Sequence, residues 1–182
     1  MGKKAGIYQI TIIGLMSAVI CILGPLSIPI GVVPISFTNL AIYFAIYILG
    51  MKKAVISFLI YMLIGLVGVP VFSGFSGGIS KLLGPTGGYI IGFFFMTLIA
   101  GIFIDKFYEK WYLSFVGMVL GAAVLYIFGT IWLANQTDMP LNIALAVGVH
   151  PFIPGDLAKI IIVAFIGPQI RKRLISANLI KA

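Results

Sequence analysis

Carboxylates are scarce in this chain: Asp105, Glu109, Asp138 and Asp156 are the whole acidic complement of its 182 residues. Cysteine and histidine, the other side chains on which catalysis and metal binding draw, occur once each, as Cys21 and His150. A lone thiol inside an apolar run cannot close an internal disulfide and has no ligating neighbours, so Cys21 reads as packing. An intramembrane protease needs a second Asp, a Ser with a base, or a zinc cluster of His and Glu. The apolar segments offer one Asp, one Lys and no Glu. No enzyme, metal or cofactor is expected. The nucleotide-cradling pattern GxxxxGK[ST] is also missing, so the chain does not energise itself with ATP.

Apolar side chains take the place of charge. Hydrophobic residues make up 62% of the sequence against 9% charged, with a mean hydropathy of +1.21, the balance of an integral membrane protein. A crossing needs roughly 20 apolar residues, so the length allows about six and leaves no room for a separate soluble domain. Six apolar segments stand out, near 7–26, 36–50, 54–72, 85–104, 112–134 and 151–170. All are expected to be helices of a single all-α transmembrane domain over residues 1–182. The first lacks the order of a cleavable signal and is expected to remain in the bundle.

The formal charge of +8 reports orientation rather than nucleic-acid binding, because cytoplasmic loops accumulate Lys and Arg. Lys3, Lys4, Lys52, Lys53, Lys106, Lys110, Arg171, Lys172, Arg173 and Lys181, ten of the twelve basic residues, fall on one side of the six-span scheme. Lys81 alone falls in a connection on the other side, which predicts a multi-pass cell-membrane protein, embedded in lipid, with both termini cytoplasmic. Phe107, Tyr108, Trp111 and Tyr112 flank an inner turn, where amphipathic rings prefer the headgroup layer. The connections on the outer side are long and rich in Gly, Pro and apolar residues. Irregular backbone at membrane depth is tolerated where it lines a cavity, so these loops are expected to dip inward over a pocket.

The last segment, PFIPGDLAKIIIVAFIGP, carries Asp156 and Lys159 three residues apart on one helical face. Ionisable groups at membrane depth are expensive and mark substrate or ion paths. Two simpler roles stay open from spacing alone: Asp156 as a helix cap, and Lys159 as a side chain snorkelling to the interface. A stand-alone proton-coupled carrier is a further alternative, though paired half-repeats with broken helices are not evident.

The run SGFSGGISKLLGPTGGYIIGF at 73–93, read with VPISFTNL at 33–40 and PFIPGDLAK at 151–159, closely resembles the BioY family, the biotin-specific S components of energy-coupling factor transporters. The resemblance spans nearly the whole chain. It implies a six-helix S-component fold with membrane-dipping outer loops and high-affinity capture of biotin on the outer side. It further implies docking onto a transmembrane scaffold subunit driven by two cytoplasmic ATPase subunits, and it points to Asp156 and Lys159 as ligand contacts. An S component for another small vitamin is the nearest alternative. Asn39 stands where the family favours Gln, though either amide offers one acceptor and two donors.

Biotin presents a cyclic urea with two N–H donors and a carbonyl, an apolar thioether ring and a carboxylate tail. Asp156 can accept the urea N–H bonds, and Lys159 can donate to the urea oxygen or to the tail. Pro85 suits a helix start, so the N–H groups around Thr86, Gly87 and Gly88 are candidates to receive the tail carboxylate; close packing of the glycines is an equally open reading. Ser76, Gly78, Phe72 and Tyr89 complete the candidate binding residues, and Phe75 is a further candidate wall. Gly14 and Ala18 form a small-xxx-small step on the first segment. The resemblance makes that step a candidate scaffold-facing surface, with internal packing as the alternative.

Overall fold

The computed structural model describes residues 2–29, 32–177 and 179–180; Lys181 lies outside the described residues, as do the side chains of Lys3 and Lys4. Among the described residues the helices are α1 Gly2–Leu23, α2 Thr38–Leu49, α3 Met51–Leu66, α4 Ile79–Leu83, α5 Gly87–Phe107, α6 Trp111–Thr137, α7 Leu141–Gly148 and α8 Ile153–Ser176. A short antiparallel hairpin, β1 Ser27–Ile28 against β2 Ile35–Ser36, bridges α1 and α2.

All six expected segments are helical, and four of them, in α1, α5, α6 and α8, are long and apolar enough to cross a membrane. The other two, α2 with 12 residues and α3 with 16, are shorter. At about 1.5 Å per residue they reach only ~18 and ~24 Å, against a hydrocarbon core of about 30 Å. The third segment was expected to run to residue 72 and instead ends at Leu66, because Gly68 adopts a φ of +110° and Pro70 cannot continue a helix. Conversely, α8 continues through Pro168 to Ser176, beyond the expected end near residue 170. Two of the long connections, expected to be irregular, each carry a short helix, α4 and α7.

In lipid, helices gain little from burying apolar surface against one another, so close approach and hydrogen bonds must hold them together. The α5–α6 pair shows how. Gly92 lies so near α6 that a Cβ there would be 2.9 Å from Leu125 Cδ1, and a Cβ on Gly117 would collide with Phe103. The short α2 runs through the middle, with Ile42, Tyr43, Ile46 and Tyr47 fully buried and the Tyr43 hydroxyl donating to the Met118 carbonyl of α6 at 3.0 Å. The most open of the four long helices is α1. Gly14 and Ala18 lie on its exposed side, and nothing comes within 4 Å of a Cβ built on Gly14.

The two ends of the bundle differ. One carries the short turns between α2 and α3 and between α5 and α6; the other carries the hairpin and the connections holding α4 and α7. At the short-turn end, Arg171 of α8 donates to Asp105 Oδ1 of α5 at 2.7 Å and lies over the Tyr108 ring at 4.9 Å. Asp105 Oδ2 accepts the Met51 N–H at 2.9 Å, which ties the α2–α3 turn to the same cluster.

Candidate functional site

The loop-bearing end encloses a small cavity of about 60 Å³. Small-molecule sites are typically mostly apolar with a few convergent polar groups. Here the walls include Phe72, Tyr89, Phe93 and Leu125, and the polar groups include Ser36, Asn39, Ser73, Thr86, Tyr126 and Asp156. Each comes from a different part of the chain: the strand β2 and the start of α2, the connection after α3, and the facing sides of α5, α6 and α8.

At the cavity margin stands a closed set of charge-assisted bonds. The Lys159 ammonium donates to Asp156 Oδ1 at 2.9 Å, to Asn39 Oδ1 at 3.2 Å and to the Ser36 carbonyl at 2.7 Å. An ammonium has three N–H donors, so all are engaged. The second carboxylate oxygen, Asp156 Oδ2, accepts the Tyr126 hydroxyl at 2.7 Å. Asp156 and Lys159 are only 7% and 8% exposed. Two charges taken out of water are sustained only when each has its partner and its hydrogen bonds, and both conditions hold. The pair also links β2 and the start of α2 to α8, more than a hundred residues away.

This geometry decides between the simple roles left open by spacing. No side-chain bond caps the start of α8, and both Asp156 oxygens are turned to Lys159 and Tyr126. Lys159 does not snorkel; its ammonium stays inside, 5.6 Å from the centre of the Phe37 ring.

Of the other sequence candidates, Asn39, Thr86, Tyr89 and Phe72 line the cavity. Tyr89 is fixed by its hydroxyl, which donates to the Gly148 carbonyl at 2.8 Å, and by Gly129, where a Cβ would run into its ring. Phe72 sits in the same way against Gly65. Gly87 and Gly88 do not line the cavity. The Gly87 N–H donates to the Gly84 carbonyl at 3.0 Å, and added side chains at the two positions would strike Leu82 and Trp132, so their small size serves packing. Ser76 pairs with Phe72 in an isolated bridge and donates to the Ser73 carbonyl at 2.9 Å, holding the loop rather than lining the space. Gly78, with a φ of +91°, starts α4. Phe75 is 66% exposed and walls nothing. His150 is exposed and Lys81 partly buried, outside the cavity wall.

Tyr126 was not flagged by the sequence, and Ser36 and Ser73 fall within the runs 33–40 and 73–93 without having been singled out. Tyr126 lies in an apolar run with no motif around it, 30 residues before Asp156 on another helix, so no spacing rule could join them. Among the described residues no group of three or more His, Cys, Asp or Glu is placed to hold a metal ion.

The BioY family model matches residues 1–176. The biotin transporter BioY2 of Lactococcus lactis subsp. cremoris is 33% identical over 97% of this chain and 97% of its own length. A probable biotin transporter BioY of Pyrococcus horikoshii is 38% identical over 83% of this chain and 88% of its own. The crystal structure of the S component for biotin from an ECF-type ABC transporter superposes with a TM-score of 0.86 at 35% identity, covering 94% of this chain and 95% of that one. With a cavity at the loop-bearing end, a buried Asp–Lys pair at its margin, and a family match along nearly its entire length, the chain belongs to the BioY family.

Proposed function

We propose that this chain is the membrane-embedded, substrate-binding S component of an energy-coupling factor transporter and that it captures biotin for uptake. Its relatives are transporters, not enzymes, and biotin is cargo rather than a cofactor. The observation that carries the reading is the buried Asp156–Lys159–Asn39 cluster at the margin of a largely apolar cavity. In this reading Asp156 accepts N–H bonds from the cyclic urea. The urea carbonyl replaces Asn39 on the Lys159 ammonium, the longest of its three bonds at 3.2 Å and hence the one most cheaply exchanged. Phe72, Tyr89 and Phe93 pack on the thioether ring, and the Thr86 and Ser73 hydroxyls face the tail carboxylate.

The chain is a single domain that crosses the membrane six times, with α2 and α3 as the two short crossings and both termini in the cytoplasm. The loop-bearing end then faces outward, where a scarce solute is met. Supporting this orientation, Lys52, Lys53, Lys106 and Lys110 sit at or beside the short turns, and Arg171, Lys172 and Arg173 lie at the same end of α8. Energy comes from partners, a transmembrane scaffold and two cytoplasmic ATPases, since the chain has no nucleotide motif. The exposed step of Gly14 and Ala18 on α1 suits close approach by a scaffold helix.

Calorimetry on the detergent-purified chain, with biotin, thiamine and riboflavin as separate titrants, tests the reading. Saturable one-to-one binding of biotin alone is expected. Binding of another vitamin in preference to biotin would transfer the fold to a different cargo.

A further inference from the structure

Two voids meet at the same pair of side chains. The central cavity is one; the other is an apolar crevice between α6 and α8, lined by residues that include Ala122, Ala123, Ile153 and Leu157. Tyr126 and Asp156 belong to both linings. Around the crevice the surface is hydrocarbon-like, with Ile127, Leu157 and Ile161 between 38% and 56% exposed, as on a face turned to lipid. Tyr126 and Asp156 together therefore form the boundary between the cavity and this crevice.

Donor accounting gives the hydroxyl of that ring a specific task. Lys159 has spent its three N–H bonds on Asp156 Oδ1, Asn39 and Ser36, and among the described residues only Tyr126 donates to Asp156 Oδ2. Without that donor Oδ2 would be a buried charge acceptor with no partner, which is costly, and the carboxylate would turn to find one. The hydroxyl has one proton and gives it to Asp156, so toward the cavity it presents lone pairs only.

We propose that Tyr126 is a positioning residue of the binding site: its hydroxyl fixes the orientation of Asp156, and its ring partitions the ligand cavity from the lipid-facing crevice. The inference rests on the reading of Asp156 as a ligand contact. Any ligand offering N–H donors to Asp156 then meets a carboxylate already turned toward it. On the crevice side the carboxylate is held by the Tyr126 hydroxyl, so the charge there is hydrogen-bonded.

The test compares biotin affinities of the full chain and its Tyr126 variants in detergent. Tyr126→Phe keeps the ring and removes the donor; a hydrogen bond to a charged group corresponds to roughly a 10- to 150-fold change, so the dissociation constant should rise at least tenfold. In an Asp156→Asn background the same substitution should cost about threefold or less, because its effect passes through the carboxylate. Tyr126→Ala removes the partition as well and should weaken binding at least a further fivefold. Equal losses in the two Asp156 backgrounds would overturn the orienting role, and equal affinities of the Phe and Ala variants would overturn the partition. A folding-independent measurement is available in the unsubstituted sequence: 3-fluorotyrosine introduced at position 126 should show a fluorine resonance that shifts on biotin addition, and a resonance unmoved at saturation overturns the proposal. Failure of the unsubstituted chain to bind biotin overturns this inference together with the proposed function, whereas normal binding with a silent Tyr126→Phe overturns this inference alone.

Discussion

Among the described residues there are two ion pairs, one near each end of the bundle, and their surroundings differ. Arg171–Asp105 at the short-turn end has one buried and one half-open side chain, at 9% and 37%, and it is braced by the Tyr108 ring and a backbone N–H. Lys159–Asp156 is closed on both sides, at 10% and 9%, yet its Asp borders a cavity, and Asn39, Ser36 and Tyr126 complete its bonds. The first joins three elements, so it fastens the fold. The second keeps its charge balanced beside empty volume, so it can exchange a partner for a ligand. Burial of one partner is nearly the same in the two pairs; what sets the second apart is the cavity that Asp156 lines.

Four variants sharpen this contrast, taken in order of their expected effect on biotin binding. Lys159→Met leaves Asp156 buried without its counter-charge and should weaken binding by about 2 to 5 kcal/mol, as read by calorimetry on monodisperse protein. Gly129→Val drives a side chain into the Tyr89 ring and displaces a cavity wall; overpacking of this kind costs about 1 to 3 kcal/mol, and affinity should drop roughly in proportion. Arg171→Met acts at the other end. Its partner is partly solvated, so the expected loss is about 1 to 2 kcal/mol of stability, visible as a lowered thermal midpoint, with the biotin dissociation constant changed less than about twofold. A double replacement of Gly14 and Ala18 by Leu should leave binding by the isolated chain unaltered while abolishing uptake in cells that carry the scaffold and ATPases. Loss of binding in that variant would assign the step to internal packing.

Much of this could be read before any coordinates, for a physical reason. Long apolar runs are dictated by bilayer thickness, so α1, α5, α6 and α8 are legible as runs. The end of α3 was not, because the apolar connection after Leu66 continues the same trace, whereas α2, expected within 36–50, is Thr38–Leu49. Asp156 and Lys159 were legible because their three-residue spacing puts them on one helix face, and because charge in such a run is conspicuous. Tyr126 and Ser36 were not, since their contacts with the pair span 30 and 123 residues and a tyrosine in a membrane helix carries no signal of its own. The glycines of GPTGGY were visible but ambiguous; the close approach of Leu82 and Trp132 identifies them as packing positions.

The central claim is that Asp156 holds the ligand by charge, and titration of biotin into the purified unsubstituted chain, Asp156→Asn and Asp156→Leu tests it most directly. Binding should weaken stepwise, with the Asn variant retaining an acceptor and losing less than the Leu variant, whose deficit should reach about 2 to 5 kcal/mol. Tight biotin binding that survives Asp156→Leu in folded protein would contradict the claim and put the ligand elsewhere in the cavity.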